Sequence, residues 1–186
     1  MKNIFITGDI RIGKSTVIKK VLDLLKDNYG NNLNIGGYKC CRNIIIEKHL
    51  TKYEFFLVSL RDLSSYKIIE NKVINNKDNV EIFTENFNLY SQKLNDDFKN
   101  CHLIILDEIG CAESNSYEFI DSLNKVLDSN ITVLGVLKKK NCSLINDIKK
   151  RDDLLLLEVD KNNRDFIYKD IYKAILDLLL FKLNIY

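Results

Sequence analysis

The chain has 186 residues, of which 46% are hydrophobic and 29% charged, with a formal net charge of +2 at pH 7. This length is typical of one domain, so we expect residues 1–186 to form a single domain. A charge so near zero gives no strong field for nucleic acid or an anionic membrane, and we expect neither as a partner. No stretch reaches the roughly 20 apolar residues of a membrane span or has the pattern of a secretory signal, which predicts a cytoplasmic protein.

The first predicted elements are a buried strand and a helix joined by a loop. Residues 2–7, with the apolar run at 4–6, predict the strand, and residues 16–29 predict a helix that ends at Gly30. Between them, GDIRIGKST at residues 8–16 fits the phosphate-binding pattern G-x-x-x-x-G-K-[ST]. The pattern requires a strand before it and a helix after it, and both are predicted here.

The middle of the chain predicts short strands and one helix. Apolar runs at residues 35–38, 44–46 and 54–60 indicate a small antiparallel insertion after the first helix. Residues 71–79 are polar and rich in asparagine, which predicts a surface loop. Residues 86–99 have the apolar spacing of a helix.

Strands and helices alternate in the remainder of the chain. Strands are predicted at residues 102–106, 131–137 and 154–159, and helices at residues 119–127, 144–148 and 167–178. Such alternation is typical of an α/β fold with a mainly parallel sheet covered by helices on both faces.

The loop pattern assigns a role to each of its residues. Successive backbone N–H groups surround a β-phosphate, and the positive end of the following helix adds to the attraction. Lys14 is expected to reach the outer phosphates, Ser15 to bind Mg²⁺, and Thr16 to contact the inner phosphate. The predicted nucleotide-binding residues in the loop are Gly8, Asp9, Ile10, Arg11, Ile12, Gly13, Lys14, Ser15 and Thr16.

Arg11 lies in the middle of the loop, where such loops often carry further glycine or proline. One hypothesis is that its guanidinium faces the γ-phosphate and does part of the work of an arginine finger. The alternative is a side chain turned to solvent or paired with Asp9, since the loop binds phosphate through its backbone. Either Arg11 adopts an unfavourable backbone angle or the loop takes a different path.

A second constellation follows the strand at residues 102–106. Asp107 and Glu108 lie at its carboxyl end, where ligands bind in open α/β sheets. Asp107 is placed to hold Mg²⁺ through its hydration shell, and Glu108 to activate a water for attack on the γ-phosphate. A solvated acidic turn is the alternative for this pair taken alone.

These motifs together resemble a known family. The loop at residues 8–16, the DEIG run at residues 107–110 followed by Glu113, a Gly-Tyr dipeptide before Arg42, and the late Asn163, Arg164 and Asp165 are similar to the small P-loop nucleoside-triphosphatases of thermophilic prokaryotes and the human cancer-related NTPase. The resemblance implies a RecA-like core and Mg²⁺-dependent hydrolysis of ATP, GTP and other nucleoside triphosphates, with Glu108 as the base. It also implies that residues 163–165 lie near the base or ribose. The chain departs from the family at Cys111 and Ala112, where a lysine and a methionine are usual.

Other assignments stay open at this point. Arg42 and Arg164 are candidate nucleotide contacts, with a surface ion pair as the alternative. The lysines at residues 138–140 could meet phosphate, but a solvated face is the plainer interpretation. Two other functions fit the loop: a kinase acting on a nucleoside, nucleotide or other small acceptor, and an ATP-dependent switch that hydrolyses slowly and holds an unknown protein partner.

Overall fold

The computed structural model describes residues 2–74 and 77–183. Within these residues the chain forms eight strands and five α-helices in one α/β arrangement. In chain order they are β1 Asn3–Thr7, α1 Lys14–Tyr29, β2 Ile35–Glu47, β3 Leu50–Ser59, β4 Ser65–Ile74, β5 Lys77–Ile82, α2 Thr84–Asn100, β6 Leu103–Ile109, α3 Tyr117–Asp128, β7 Thr132–Leu137, α4 Ser143–Lys149, β8 Leu154–Glu158 and α5 Ile167–Leu183. No helix among them is both long enough and apolar enough to cross a membrane.

All of these strands belong to one sheet, in the order β5-β4-β3-β2-β6-β7-β1-β8. Strands β2, β6, β7, β1 and β8 are parallel, whereas β3, β4 and β5 are antiparallel additions beyond β2. The prediction of a mainly parallel sheet with an antiparallel insertion after the first helix is therefore confirmed.

Helices cover the parallel strands from both sides. Alternate residues of β1 point to opposite faces, so Phe5 packs into the core under α2 and α3, while Ile4 and Ile6 pack into the core under α1 and α5. Every residue of β1 and β7 is buried. This double burial explains why these strands are apolar throughout rather than alternating.

The insertion is larger than the sequence indicated. The runs at residues 35–38 and 44–46 belong to one continuous strand, β2, and the predicted loop at residues 71–79 is wrong over the described positions. There β4 pairs with β5, with Asn71 opposite Val80 and Lys72 opposite Asn79. Residues 75 and 76 lie outside the described residues. Cross-strand pairing thus outweighs the low strand propensity of asparagine.

Candidate active site

The loop between β1 and α1 has the backbone shape that its glycines permit. Gly8 and Gly13 have φ angles of 149° and 114°. A Cβ atom on Gly8 would lie 2.4 Å from the carbonyl oxygen of Val159, so a side chain cannot be accommodated there. The Lys14 ammonium donates hydrogen bonds to the carbonyl oxygens of Gly8 at 2.9 Å and Asp9 at 2.8 Å. Lys14 is therefore held across the mouth of the loop.

Arg11 adopts the strained conformation that the sequence raised as one possibility. Its φ angle is 63°, in the left-handed region that costs a residue with a side chain about 1–2 kcal/mol. The side chain is exposed and borders the cavity described below. Asp9 pairs with Lys139 at 3.2 Å, so the pairing of Asp9 with Arg11 is not the arrangement found. The guanidinium of Arg11 remains available to a ligand.

The loop meets the end of β6 across an intervening strand. Because β1, β7 and β6 are parallel neighbours, their carboxyl ends lie at the same edge of the sheet. There the hydroxyl of Ser15 donates to Oδ1 of Asp107 at 3.3 Å. The structure thus brings together two residues that are far apart in sequence and that the motifs assigned to one metal.

The Asp107 carboxyl is suited to a hard cation. The residue is only 5% exposed, and burial, aided by the nearby negative charge of Glu108, raises its pKa to about 6 although the Ser15 hydrogen bond opposes the shift. The described residues contain no cluster of three or more His, Cys, Asp or Glu side chains that could hold a metal. Mg²⁺ fits such a sparse set, because it usually binds one or two protein oxygens together with water and phosphate oxygens.

Glu108 projects into the same region and is partly open to solvent. Its carboxylate lies 3.7 Å from the ammonium of Lys138, on the segment after β7. The chain after Glu108 is fixed by Glu113, whose Oε2 accepts a hydrogen bond from the backbone N–H of Gly110 at 3.0 Å. Glu113 is 2% exposed, and burial raises the pKa of its carboxyl group. A buried acceptor therefore holds the turn that follows Glu108.

These groups surround a cavity of about 650 Å³. This volume lies within the range of small-molecule sites. Cationic side chains outnumber the two carboxylates, so the cavity favours a polyanion. The lining residues are Gly8, Ile10, Arg11, Gly13, Lys14, Ser15, Thr16, Cys40, Arg42, Phe55, Asp107, Glu108, Lys138, Lys139 and Lys140.

Several lining residues were not predicted as site residues. The lysines at 138–140 border the cavity, and Lys139 and Lys140 are also exposed to solvent. Their position directly after a buried parallel strand was the signal that could have identified them. Phe55 and Cys40 come from the insertion, and burial raises the pKa of Cys40 to about 12, which keeps it a neutral thiol.

Four predicted residues do not line the cavity: Asp9, Ile12, Asn163 and Arg164. Asn163 stabilises the turn after β8, since its Nδ2 donates to the carbonyl oxygen of Glu158 at 2.8 Å. Its Oδ1 accepts from the N–H of Asp160 at 3.0 Å. Arg164 lies 4.0 Å from Asp165, which is the surface ion pair raised as the alternative for it.

A larger cavity lies at the other edge of the sheet. It has a volume of about 820 Å³ and is lined by Leu22, Lys26, Gly30, Leu33, Asn34, Ile35, Leu60, Arg61 and Asn100. Its arginine is already paired with Asp97 at 3.2 Å. None of these described lining residues carries a carboxylate, so the smaller cavity is the better candidate for a catalytic site.

Comparison with known proteins agrees with this arrangement. The chain is 29% identical over 175 residues to the nucleoside-triphosphatase THEP1 of Thermotoga sp. strain RQ2, covering 92% of this chain and 94% of the relative. It is 30% identical over 169 residues to the protein of the same name from Methanosarcina acetivorans, covering 89% and 91%.

Two solved structures share the fold. The crystal structure of THEP1 from the hyperthermophile Aquifex aeolicus matches with a TM-score of 0.71 at 20% identity, covering 93% of this chain and 98% of that one. The solution structure of a human cancer-related nucleoside triphosphatase also has a TM-score of 0.71 at 20% identity, covering 94% and 97%. These likenesses confirm the predicted P-loop NTPase fold.

A family model described as NTPase matches residues 3–172. The match includes the loop at residues 8–16, the end of β6 and the segment after β8. The resemblance seen in the motifs is confirmed: this chain belongs to the NTPase family and is a nucleoside-triphosphate phosphohydrolase.

Proposed function

We propose that this NTPase hydrolyses ATP, GTP and other nucleoside triphosphates to the diphosphate and phosphate, with Mg²⁺, in the cavity at the carboxyl ends of β1 and β6. The observation that carries the proposal is the 3.3 Å contact between Ser15 and Asp107, with Lys14 and Glu108 bordering the same cavity. The relatives are named nucleoside-triphosphatases, which supports a nucleoside triphosphate as the substrate.

The loop binds the phosphates. Its backbone N–H groups and the N-terminal end of α1 attract the β-phosphate. The Lys14 ammonium exchanges its two backbone acceptors for phosphate oxygens and so neutralises charge near the γ-phosphate. Arg11 and Arg42, both exposed on the cavity wall, supply additional positive charge.

Ser15 and Asp107 hold the metal. Their oxygens are the donors that Mg²⁺ prefers, and the buried Asp107 carboxylate gains a counter-charge when the metal is bound. Mg²⁺ held by these two residues would supply positive charge that stabilises the charge developing on the phosphate oxygens.

Glu108 acts on the attacking water. Its carboxylate accepts a proton as the water oxygen bonds to the γ-phosphorus and the bond to the β–γ bridging oxygen breaks. Lys138, 3.7 Å away at the end of the neighbouring strand β7, orients this carboxylate. Glu113 keeps the following turn in place through its hydrogen bond with Gly110.

The decisive experiment measures phosphate release from a panel of nucleoside triphosphates, with and without Mg²⁺ and candidate acceptors. Wild-type protein releases phosphate without an acceptor. Glu108→Gln lowers kcat by about 10²- to 10⁴-fold, because general-base assistance is lost, while nucleotide binding persists. Glu118→Gln, an exposed change on α3, serves as the matched control.

Two results would contradict the proposal. Unchanged kcat in Glu108→Gln would remove Glu108 from the role of base. Loss of triphosphate only when an acceptor is present, with no free phosphate, would identify a kinase.

A further inference from the structure

The antiparallel part of the sheet has two faces of opposite character. We call residues 42–47, 50–55, 69–74 and 77–82 the wing. Residues directly paired in antiparallel strands point to the same side of a sheet, so the register sorts the wing residues by face. One face carries the ion pairs Lys52–Glu54 at 3.1 Å, Lys52–Glu70 at 3.6 Å and Lys72–Glu70 at 2.7 Å.

The other face is mostly apolar, and we call it the apolar face. Its residues lie in rows that cross the strands β2, β3, β4 and β5. From the active-site end outward, the rows are Arg42, Phe55, Ile69 and Ile82; then Ile44, Tyr53, Asn71 and Val80; then Ile46, Thr51, Val73 and Asp78.

The apolar face is open to solvent where it extends beyond the core. Ile46 is 77% exposed, Val80 56%, Ile44 47% and Ile82 37%. From the spacing of strands and residues, the grid of rows measures about 14 Å by 14 Å between its corner Cα atoms. Exposed apolar residues gathered on one face, with charged residues at two of its corners, are typical of a surface that contacts another protein.

The polar residues of this face are arranged for pairing with a copy of itself. Arg42 and Asp78 occupy diagonally opposite corners. Arg42 has no ion pair among the described residues, and Asp78 is oriented on the face by the Nδ2 of Asn71 at 3.2 Å. The other two corners, Ile46 and Ile82, are apolar. We propose that the apolar face binds the same face of a second copy of this chain.

A two-fold axis that lies in the interface along the diagonal from Ile46 to Ile82 gives each of the four corner residues a compatible partner in the second copy. It places Arg42 opposite Asp78 of the second copy, and the reverse pair forms by symmetry. Ile46 and Ile82 each meet their own counterparts. Because the grid is nearly square, the strands of the two copies cross near 90°, one of the two preferred angles for packed sheets.

The size of the face sets the strength of the dimer. A grid of about 14 Å by 14 Å, even with its side-chain margins, buries less than the roughly 800 Å² per partner of a standard interface. A weak dimer that depends on protein concentration is therefore expected. Arg42 and Phe55 also line the active-site cavity, so the interface borders the mouth of the site.

The first test is sedimentation velocity of the full chain over a concentration series up to about 500 µM, a range suited to weak association. The wild-type sedimentation coefficient rises with concentration. Ile44→Lys raises the dimer Kd at least about tenfold, since it places a charge in the middle row of the apolar face. The matched control is Leu89→Lys, because Leu89 on α2 is 52% exposed and lies outside the apolar face. A monomeric wild type, or an Ile44→Lys variant that associates like wild type, would overturn the proposal.

The second test checks the arrangement with exchanged charges, after circular dichroism shows that both variants are folded. Asp78→Arg alone places two arginines at each charged corner of its dimer, and Arg42→Asp alone places two aspartates there. Each variant therefore associates at least about tenfold more weakly than wild type. An equimolar mixture restores both pairs and regains association. A mixture that associates no better than its separate components would rule out the diagonal two-fold arrangement.

Discussion

The parallel strands and the wing belong to one sheet but use their residues differently. In β1 and β7 every residue is buried, because helices cover both faces. In β5 every residue is exposed, and the last six residues of β2 are exposed as well. In the buried strands only the ends are accessible to a ligand, whereas in the wing a whole face of the sheet is accessible to a partner.

Charge is also used differently in the two regions. At the ends of the parallel strands, cationic groups converge on one cavity with few carboxylates to oppose them. In the wing, lysines and glutamates neutralise each other on one face. Uncompensated positive charge at the cavity and neutralised charge on the ion-paired face of the wing indicate that an anionic substrate binds in the cavity and not on that face.

Matched lysine substitutions test this contrast and give the largest expected effect. Lys14→Ala lowers kcat/KM by about 10²- to 10³-fold, because charge that the site directs at the phosphates is lost. Lys52→Ala in the wing leaves phosphate release unchanged, since Lys52 only neutralises Glu54 and Glu70. Steady-state phosphate release decides between them. Equal losses in the two variants would show that overall charge, rather than the loop, governs turnover.

Matched isoleucine substitutions compare the packing of the two regions. Ile4 in β1 is 1% exposed and Ile46 in the wing is 77% exposed. Ile4→Ala lowers the free energy of unfolding by about 2–5 kcal/mol, because it leaves a cavity in a close-packed core. Ile46→Ala changes it by no more than about 0.5 kcal/mol in dilute protein. Urea unfolding at low protein concentration measures both. A large loss from Ile46→Ala would mean that the apolar face is needed by the monomer.

The two regions also differ in how well the sequence predicts them. The parallel core was predictable, because doubly buried strands and amphipathic helices have strong apolar periodicity. Polar strands in the wing gave no such signal. Asn71 and Asn79 favour loops locally, but here they lie in a paired hairpin whose stability depends on neighbours distant in sequence.

The candidate active site was predictable only where a motif fixes local geometry. Lys14, Ser15, Asp107 and Glu108 follow from two short patterns, and the structure places all four beside one cavity. Phe55 lines the cavity because the β2–β3 register sets it opposite Arg42. Such a register comes from long-range pairing, which a single sequence does not reveal.

Two substitutions of Glu113 are expected to have effects of intermediate size. Together they show whether Glu113 acts by holding the Gly110 turn in position or by its negative charge. Glu113→Ala leaves the Gly110 N–H without its acceptor, so stability falls by about 1–3 kcal/mol and kcat falls as Glu108 loses its support. Glu113→Gln retains a carbonyl acceptor and most of the activity. Phosphate release and urea unfolding compare the two variants. Equal losses of kcat in both would show that the carboxylate charge itself is required.

The same residue predicts a pH dependence. Burial raises the pKa of Glu113 above its unfolded value, so the folded protein binds this proton more tightly than the unfolded chain does. Its contribution to stability is greatest below the unfolded pKa and is lost as pH rises through the folded pKa. Glutamine at this position does not titrate, so the Glu113→Gln variant does not lose this stability as pH rises. The free energy of unfolding of the variant therefore increases relative to that of the wild type as pH rises. If the difference in free energy of unfolding between Glu113→Gln and wild type stayed constant with pH, the raised pKa of Glu113 would be contradicted.

The smallest expected effect is the pH dependence of stability that comes from Glu70 on the charged face of the wing. Its sign is opposite to that expected for Glu113. Hydrogen bonds from Lys72 and Lys67 lower the pKa of Glu70 from 4.5 to about 2. This ionised carboxylate therefore stabilises the fold above pH 4.5, and the contribution is lost as pH falls toward about 2. Because Lys67 and Lys72 are partly open to water, screening limits the contribution to about 1 kcal/mol.

Glu70→Gln tests that contribution directly. At pH 7 the substitution lowers the free energy of unfolding by about 1 kcal/mol, and the difference from wild type shrinks on acidification and in high salt. Exposed Glu85→Gln on α2 is the control. If the difference in free energy of unfolding between Glu70→Gln and wild type were the same at low pH as at pH 7, the ion pairs of Glu70 with the lysines would not be its cause. The contributions of the two regions to the free energy of unfolding therefore change with pH in opposite directions. Protonation of the buried Glu113 carboxyl stabilises the fold, whereas protonation of the Glu70 carboxylate in the wing destabilises it.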